Sequence, residues 1–116
     1  PAEALTVDTS IITAIGNDYG FDKIFSRQIK AKMNINDVFL GISTSGNSKN
    51  IINALQECKR LNITCLLLSG GDGGIAKNIA DYSIVVPSNS TAMIQELHIL
   101  IYHSICECIE NHFFKK

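Results

Sequence analysis

Short apolar runs alternate with amphipathic stretches along this chain. Leu5–Val7, Val38–Ile42, Thr64–Leu68 and Ser83–Val86 are brief, mostly apolar and rich in branched residues, the pattern of strands. Continuous apolar runs of this kind suit strands covered on both faces. Between them, Phe21–Lys32 places Phe21, Ile24, Phe25 and Ile29 on one side, and Asn50–Leu61 does the same with Ile51, Ile52, Leu55, Cys58 and Leu61. Both repeat near 3.6 residues, as helices do. A shorter helix is expected over Ile75–Ala80, after the turn Gly70-Gly71-Asp72-Gly73-Gly74, and a long one over Thr91–His112.

The predicted order is β-α-β-α-β-α-β-α. Such alternation specifies an α/β fold with a parallel sheet of about four strands, helices on both faces and right-handed crossovers. Ligands bind such sheets at the carboxyl ends of the strands. At 116 residues, with 46% of them hydrophobic, the chain is sized for one domain over 1–116. No repeat, low-complexity tract or proline-rich linker interrupts it.

Charge narrows the partners. The formal net charge is −1, from 10 basic and 11 acidic residues spread along the chain, so there is no electrostatic footprint for nucleic acid or an anionic membrane. Apolar runs such as Cys65–Leu68 fall far short of the roughly 20 residues that cross a bilayer. A soluble, cytoplasmic protein is expected, with Cys58, Cys65, Cys106 and Cys108 as reduced, buried thiols rather than a disulfide framework. The chain opens on Pro1 without a capped helix before its first strand pattern, as expected of part of a longer protein.

Candidate chemistry concentrates at Ser43-Thr44-Ser45-Gly46-Asn47-Ser48, between a predicted strand and a predicted helix. A helix N-terminus there offers unpaired backbone N–H groups, the hydroxyls add donors, and Gly46 permits a tight turn, which together outline a phosphate cradle. No Gly-Lys-Ser/Thr follows, so the loop is not that of a nucleotide hydrolase. Capping by Asn47 or Ser48 would use one side chain and leave the other hydroxyls to the turn backbone. In the final helix Gln95 and His103 fall about 80° apart on one side, two turns along, where they can serve one site. Glu96 and His98 are further polar residues on this apolar helix, which is expected to be buried. Gly16-Asn17-Asp18-Tyr19-Gly20 reads as a strand-end or helix-entry loop, with Asp18 a candidate ligand contact.

Four separate stretches give these motifs a common pattern: Ala14-Ile15-Gly16-Asn17-Asp18-Tyr19-Gly20-Phe21, Phe25-Ser26-Arg27, Gly41 to Ser48, and Ile94-Gln95-Glu96-Leu97-His98-Ile99 with His103. In them the chain resembles the sugar isomerase (SIS) domain family, and within it the phosphoheptose isomerases. The resemblance covers essentially the whole chain. It implies a three-layer αβα SIS domain and an aldose–ketose isomerase that interconverts sedoheptulose 7-phosphate and glycero-manno-heptose 7-phosphate through an enediol, towards lipopolysaccharide or other surface heptose.

Matched by position, Ser43, Thr44, Ser45 and Ser48 correspond to the family's phosphate and substrate loop, and Asn17 and Asp18 to a second substrate loop. Gln95 corresponds to a residue that touches substrate and zinc, and His103 to a zinc ligand also proposed as acid/base. Zinc is thus the implied cofactor, and a homotetramer with shared active sites the implied assembly. The family's N-terminal helices, first strand and Gly-Asn-Gly-Gly-Ser-type loop have no counterpart here, nor do its catalytic Glu and further His ligand. This chain alone is therefore expected to be inactive. Met93 stands where many relatives carry Arg. Two other readings share the fold: a non-catalytic SIS protein that binds a replication-initiation factor, and a sugar-phosphate-sensing SIS module.

Overall fold

A computed structural model describes residues 1–114. Four helices, α1 (Thr9–Tyr19), α2 (Ser26–Lys32), α3 (Lys49–Arg60) and α4 (Thr91–Phe114), accompany three strands, β1 (Val38–Ser43), β2 (Thr64–Gly70) and β3 (Tyr82–Val86). The strands form one parallel sheet in the order β1-β2-β3, in the α/β class that the alternating pattern predicts. Its register pairs Ser43 with Ser69 and Ser69 with Val85, which aligns the carboxyl ends of the strands along one edge.

The core lies on one side of this sheet. Phe39 from β1 and Cys65 and Leu67 from β2 meet Ile51, Ala54, Leu55 and Cys58 from α3 and Ile29 from α2. The helical period supplies this seam in α3, which Asn62 ends in the left-handed conformation (φ +56°) that asparagine tolerates. Burial pushes the Cys58 thiol up to about 12, so it packs as a small apolar group.

Five expectations are corrected. Leu5–Val7 is a turn rather than a strand: its short apolar run finds no sheet neighbour, and the Leu5 carbonyl accepts from the buried Gln28 amide at 2.9 Å. Gly16 to Tyr19 belongs to α1, which Asp8 caps by accepting from the Ile11 amide at 2.9 Å and which stops at Gly20 (φ +96°). Phe21–Lys32 is divided into a 3-10 turn over Phe21–Lys23 and α2, and the predicted helix at Ile75–Ala80 shrinks to a 3-10 turn over Ala76–Asn78. The sheet is not covered on both faces throughout, for Val38, Leu40 and Ile42 are 57%, 37% and 47% exposed opposite the α3 side.

The last helix departs furthest from its expected burial. Only Ile94 and His98 of α4 are buried, while Leu97, Leu100, Ile109, Phe113, Cys106 and Cys108 are exposed. Within one chain it touches β2 and β3 through its first turns and then runs out from the sheet. Among the described residues no helix is long and apolar enough to cross a membrane.

Candidate functional site

The residues after β1 turn sharply onto the turn after β2. Gly46 takes φ +64°, and a Cβ placed on it would stand 1.9 Å from the Gly73 carbonyl oxygen. The close approach is held from both sides: the Gly46 carbonyl accepts from the Ala76 amide at 2.9 Å, and Asn47 Oδ1 accepts from the Ile75 amide at 3.0 Å. Asn47 is therefore a brace between loops and does not cap α3.

Ser48 occupies the N-cap position of α3, yet its hydroxyl bonds no helix amide. It instead receives a bond from the buried Ser43 hydroxyl at 3.0 Å. The Ser45 hydroxyl accepts from the Asn47 amide at 3.1 Å and keeps its own proton available. Capping does not explain this crowd of hydroxyls, because it consumes none of the four. The first amides of α3, at Lys49 and Asn50, also lack an acceptor among the described residues.

Beside this loop lies a cleft of about 400 Å³, lined by Thr44 and Ser45, by Gly70, Gly71 and Asp72, and by Ser88, Asn89, Thr91 and Ile94. Three strand ends thus contribute to one polar hollow at the carboxyl edge of the sheet. Gly70 allows α4 to close on it, since a Cβ there would come within 2.3 Å of Ile94 Cδ1. Asp72 is the only charged side chain in the lining, so an anion in the cleft would be held by N–H and O–H donors rather than by a cation. Ser88, Asn89 and Thr91 escaped the sequence reading, since the Ser/Asn run before α4 reads as an ordinary cap, and Asp72 entered it only as part of the glycine-rich turn Gly70 to Gly74, which follows a strand and can approach a ligand.

The other candidate residues lie further apart. Asn17 and Asp18 are exposed at the end of α1, joined by an amide-to-carboxylate bond of 3.0 Å. Asp18 lines a separate groove of about 220 Å³ with Ile11, Tyr19, Arg27 and Gln28, not the cleft. The Arg27 guanidinium stacks 3.6 Å from the centre of the Tyr19 ring, which steadies that end of α1.

Gln95 follows the cleft-lining Ile94 and is exposed. His103, also exposed, meets Tyr102 edge-on at 4.9 Å and lies about 12 Å further along α4. The two offer separate donors rather than a closed set, and no group of three or more His, Cys, Asp or Glu side chains converges among the described residues. Gln95 and His103 of one chain therefore do not fit a tetrahedral zinc site by themselves.

Residues 1–70 match the SIS domain family. The chain belongs to the SIS domain family. It is 57% identical over 114 residues to a phosphoheptose isomerase of Sulfurimonas denitrificans, covering 98% of this chain and 58% of that protein. A phosphoheptose isomerase of Campylobacter jejuni is 54% identical over 110 residues, covering 95% and 59%. Among solved structures, the phosphoheptose isomerase GmhA of Neisseria gonorrhoeae superimposes with a TM-score of 0.91 at 49% identity, over 93% of this chain and 61% of that one. A phosphoheptose isomerase of Francisella tularensis gives 0.93 at 45% identity, over 96% and 60%. The SIS chain described here thus spans about three fifths of the length of these relatives.

Proposed function

We propose that this SIS chain carries the phosphate- and sugar-binding part of a heptose-phosphate isomerase. The carrying observation is the loop Ser43 to Ser48, whose hydroxyls remain unused by capping and which borders a polar cleft through Thr44 and Ser45, in a chain 57% identical to a phosphoheptose isomerase. Phosphate is bound by Ser43, Thr44, Ser45 and Ser48 with the first amides of α3. The polyol runs along Ser88, Asn89 and Asp72, whose oxygens accept its hydroxyl protons. Holding the phosphate far from the reacting carbons fixes their orientation without taking part in the chemistry.

The substrate is sedoheptulose 7-phosphate; Gln95 of α4 contacts its sugar, and Asn17 and Asp18 of α1, where Asp18 borders a separate groove within one chain, meet a sugar only as assembled chains bring them to it. The reaction moves one proton between C1 and C2 through an enediol, while a proton passes between the two oxygens. His103 exchanges the oxygen-bound proton, and a carboxylate outside this chain takes and returns the carbon-bound one. A cytoplasmic homotetramer, in which α4 helices cover one another and neighbouring subunits complete each site, fits the exposed apolar length of α4. Zinc, where the assembled protein binds it, takes Gln95 and His103 as two ligands and needs at least two more from outside this chain. The product would serve the building of surface heptose, including that of lipopolysaccharide.

The test is turnover of sedoheptulose 7-phosphate by two proteins: this chain alone, and this chain joined to the N-terminal part of the Sulfurimonas relative. The chain alone is expected to be inert, and the joined protein active, sedimenting as four chains and slowed about 100-fold or more by His103→Ala. Activity of the chain alone would overturn the divided site. An inert joined protein would overturn the isomerase reading.

A further inference from the structure

His98 is the one polar side chain of α4 that enters the interior, with 2% of its surface exposed. Its Nε2 stands 3.0 Å from the Ser69 carbonyl oxygen, and its Nδ1 is buried with no partner. A carbonyl only accepts, so this contact requires a proton on Nε2, and in the neutral ring Nδ1 is then a bare acceptor. An unpaired buried acceptor costs stability, so packing alone would favour an apolar side chain at this position.

The place of the bond suggests what it does. Ser69 pairs with Ser43, the first hydroxyl of the loop, on the same rung of the sheet. One turn before His98, Ile94 rests on the bare backbone of Gly70. That apolar contact sets how closely α4 approaches but not its rotation, since dispersion has no direction. A hydrogen bond from a ring does have a direction. Gln95 precedes His98 by three residues, about 60° round the helix.

Resting on the sugar-phosphate reading above, we infer that His98 is a positioning residue. Its bond to Ser69 fixes the rotation of α4 so that Gln95 meets the sugar of a ligand whose phosphate sits in the Ser43 to Ser48 loop. The phosphate end should be indifferent to this bond and the sugar end dependent on it.

The test compares binding of inorganic phosphate and of sedoheptulose 7-phosphate to the whole chain. His98→Phe keeps a ring of similar size without the donor, and His98→Gln restores a donor at similar reach. The wild type is expected to prefer the sugar phosphate, and His98→Phe to lose that preference by about tenfold while phosphate affinity stays within about twofold, with His98→Gln recovering most of it. Equal loss for both ligands, a preference that survives in His98→Phe, or no recovery in His98→Gln overturns the inference alone. A wild type indifferent to the sugar overturns the sugar-phosphate reading together with it. Should His98→Phe not fold, the ¹⁵N resonances of the wild-type ring decide: Nε2 protonated with Nδ1 bare supports the pin, and the opposite tautomer overturns it.

Discussion

Gly46 concentrates the constraints on the loop in a single residue. Any side chain there meets the Gly73 carbonyl, and φ +64° disfavours one even before that contact. Gly46→Ala is expected to destabilise the chain by about 3 kcal/mol, near 10 °C in thermal midpoint, and to weaken phosphate binding in what remains folded. Thermal unfolding followed by circular dichroism checks it, and an unchanged midpoint would mean that the two loops do not press together. At this scale the sequence was informative where chemistry is local. Four hydroxyls after a strand could be read without a structure, and so could the glycine between them. Asp72, Ser88 and Asn89 could not, because their relevance comes from three strand ends meeting, which no single stretch encodes. The buried role of His98 was hidden for a similar reason: its spacing on an apolar helix does not say which side faces the sheet.

Among the elements, Asp81 is the tie between α3, β2 and β3. Its carboxylate pairs with Lys59 of α3 and accepts from the Cys65 amide of β2 at 2.9 Å, one residue before β3 begins. The Lys59 bond first, and the Cys65 amide next, hold its pKa down to about 2 from an ordinary 3.8. A depressed carboxyl stabilises the fold above its ordinary value, and that contribution is lost as pH falls from 3.8 through about 2. Asp81→Asn should therefore lower the midpoint by a few degrees near neutrality, with the gap to the wild type closing over that acid range. A gap that is flat with pH would argue against the tie. Strands β1 to β3 and helix α3 were legible because their apolar periods coincide with their contacts. Leu5–Val7 was not, since three apolar-rich residues satisfy a strand pattern without any neighbour to pair with. Nor was the end of α1, where Gly16, Asn17 and Asp18 suggest a loop but a capped helix carries through them.

Among the described residues, two apolar surfaces stay uncovered at the scale of the whole molecule: the β1 face bearing Val38, Leu40 and Ile42, and the length of α4 beyond His98. The apolar circumference of α4 was visible in the sequence, but what covers it was not, since burial by a neighbouring subunit and burial in the chain's own core leave the same pattern. The polar cleft lies at the sheet edge between these surfaces' elements, with one side formed by the hydroxyl loop and the other by the start of α4. The central claim is that this cleft binds a phosphorylated sugar by its phosphate. It is tested most directly by titrating the ¹⁵N-labelled chain with sedoheptulose 7-phosphate and following each amide. The account predicts saturable shifts centred on Ser43 to Asn50, extending to Gly71, Asp72, Asn89 and the Gln95 side chain, and abolished in Ser43→Ala/Ser48→Ala. Saturable binding that leaves the Ser43 to Ser48 amides unmoved, or none at millimolar ligand, would contradict it.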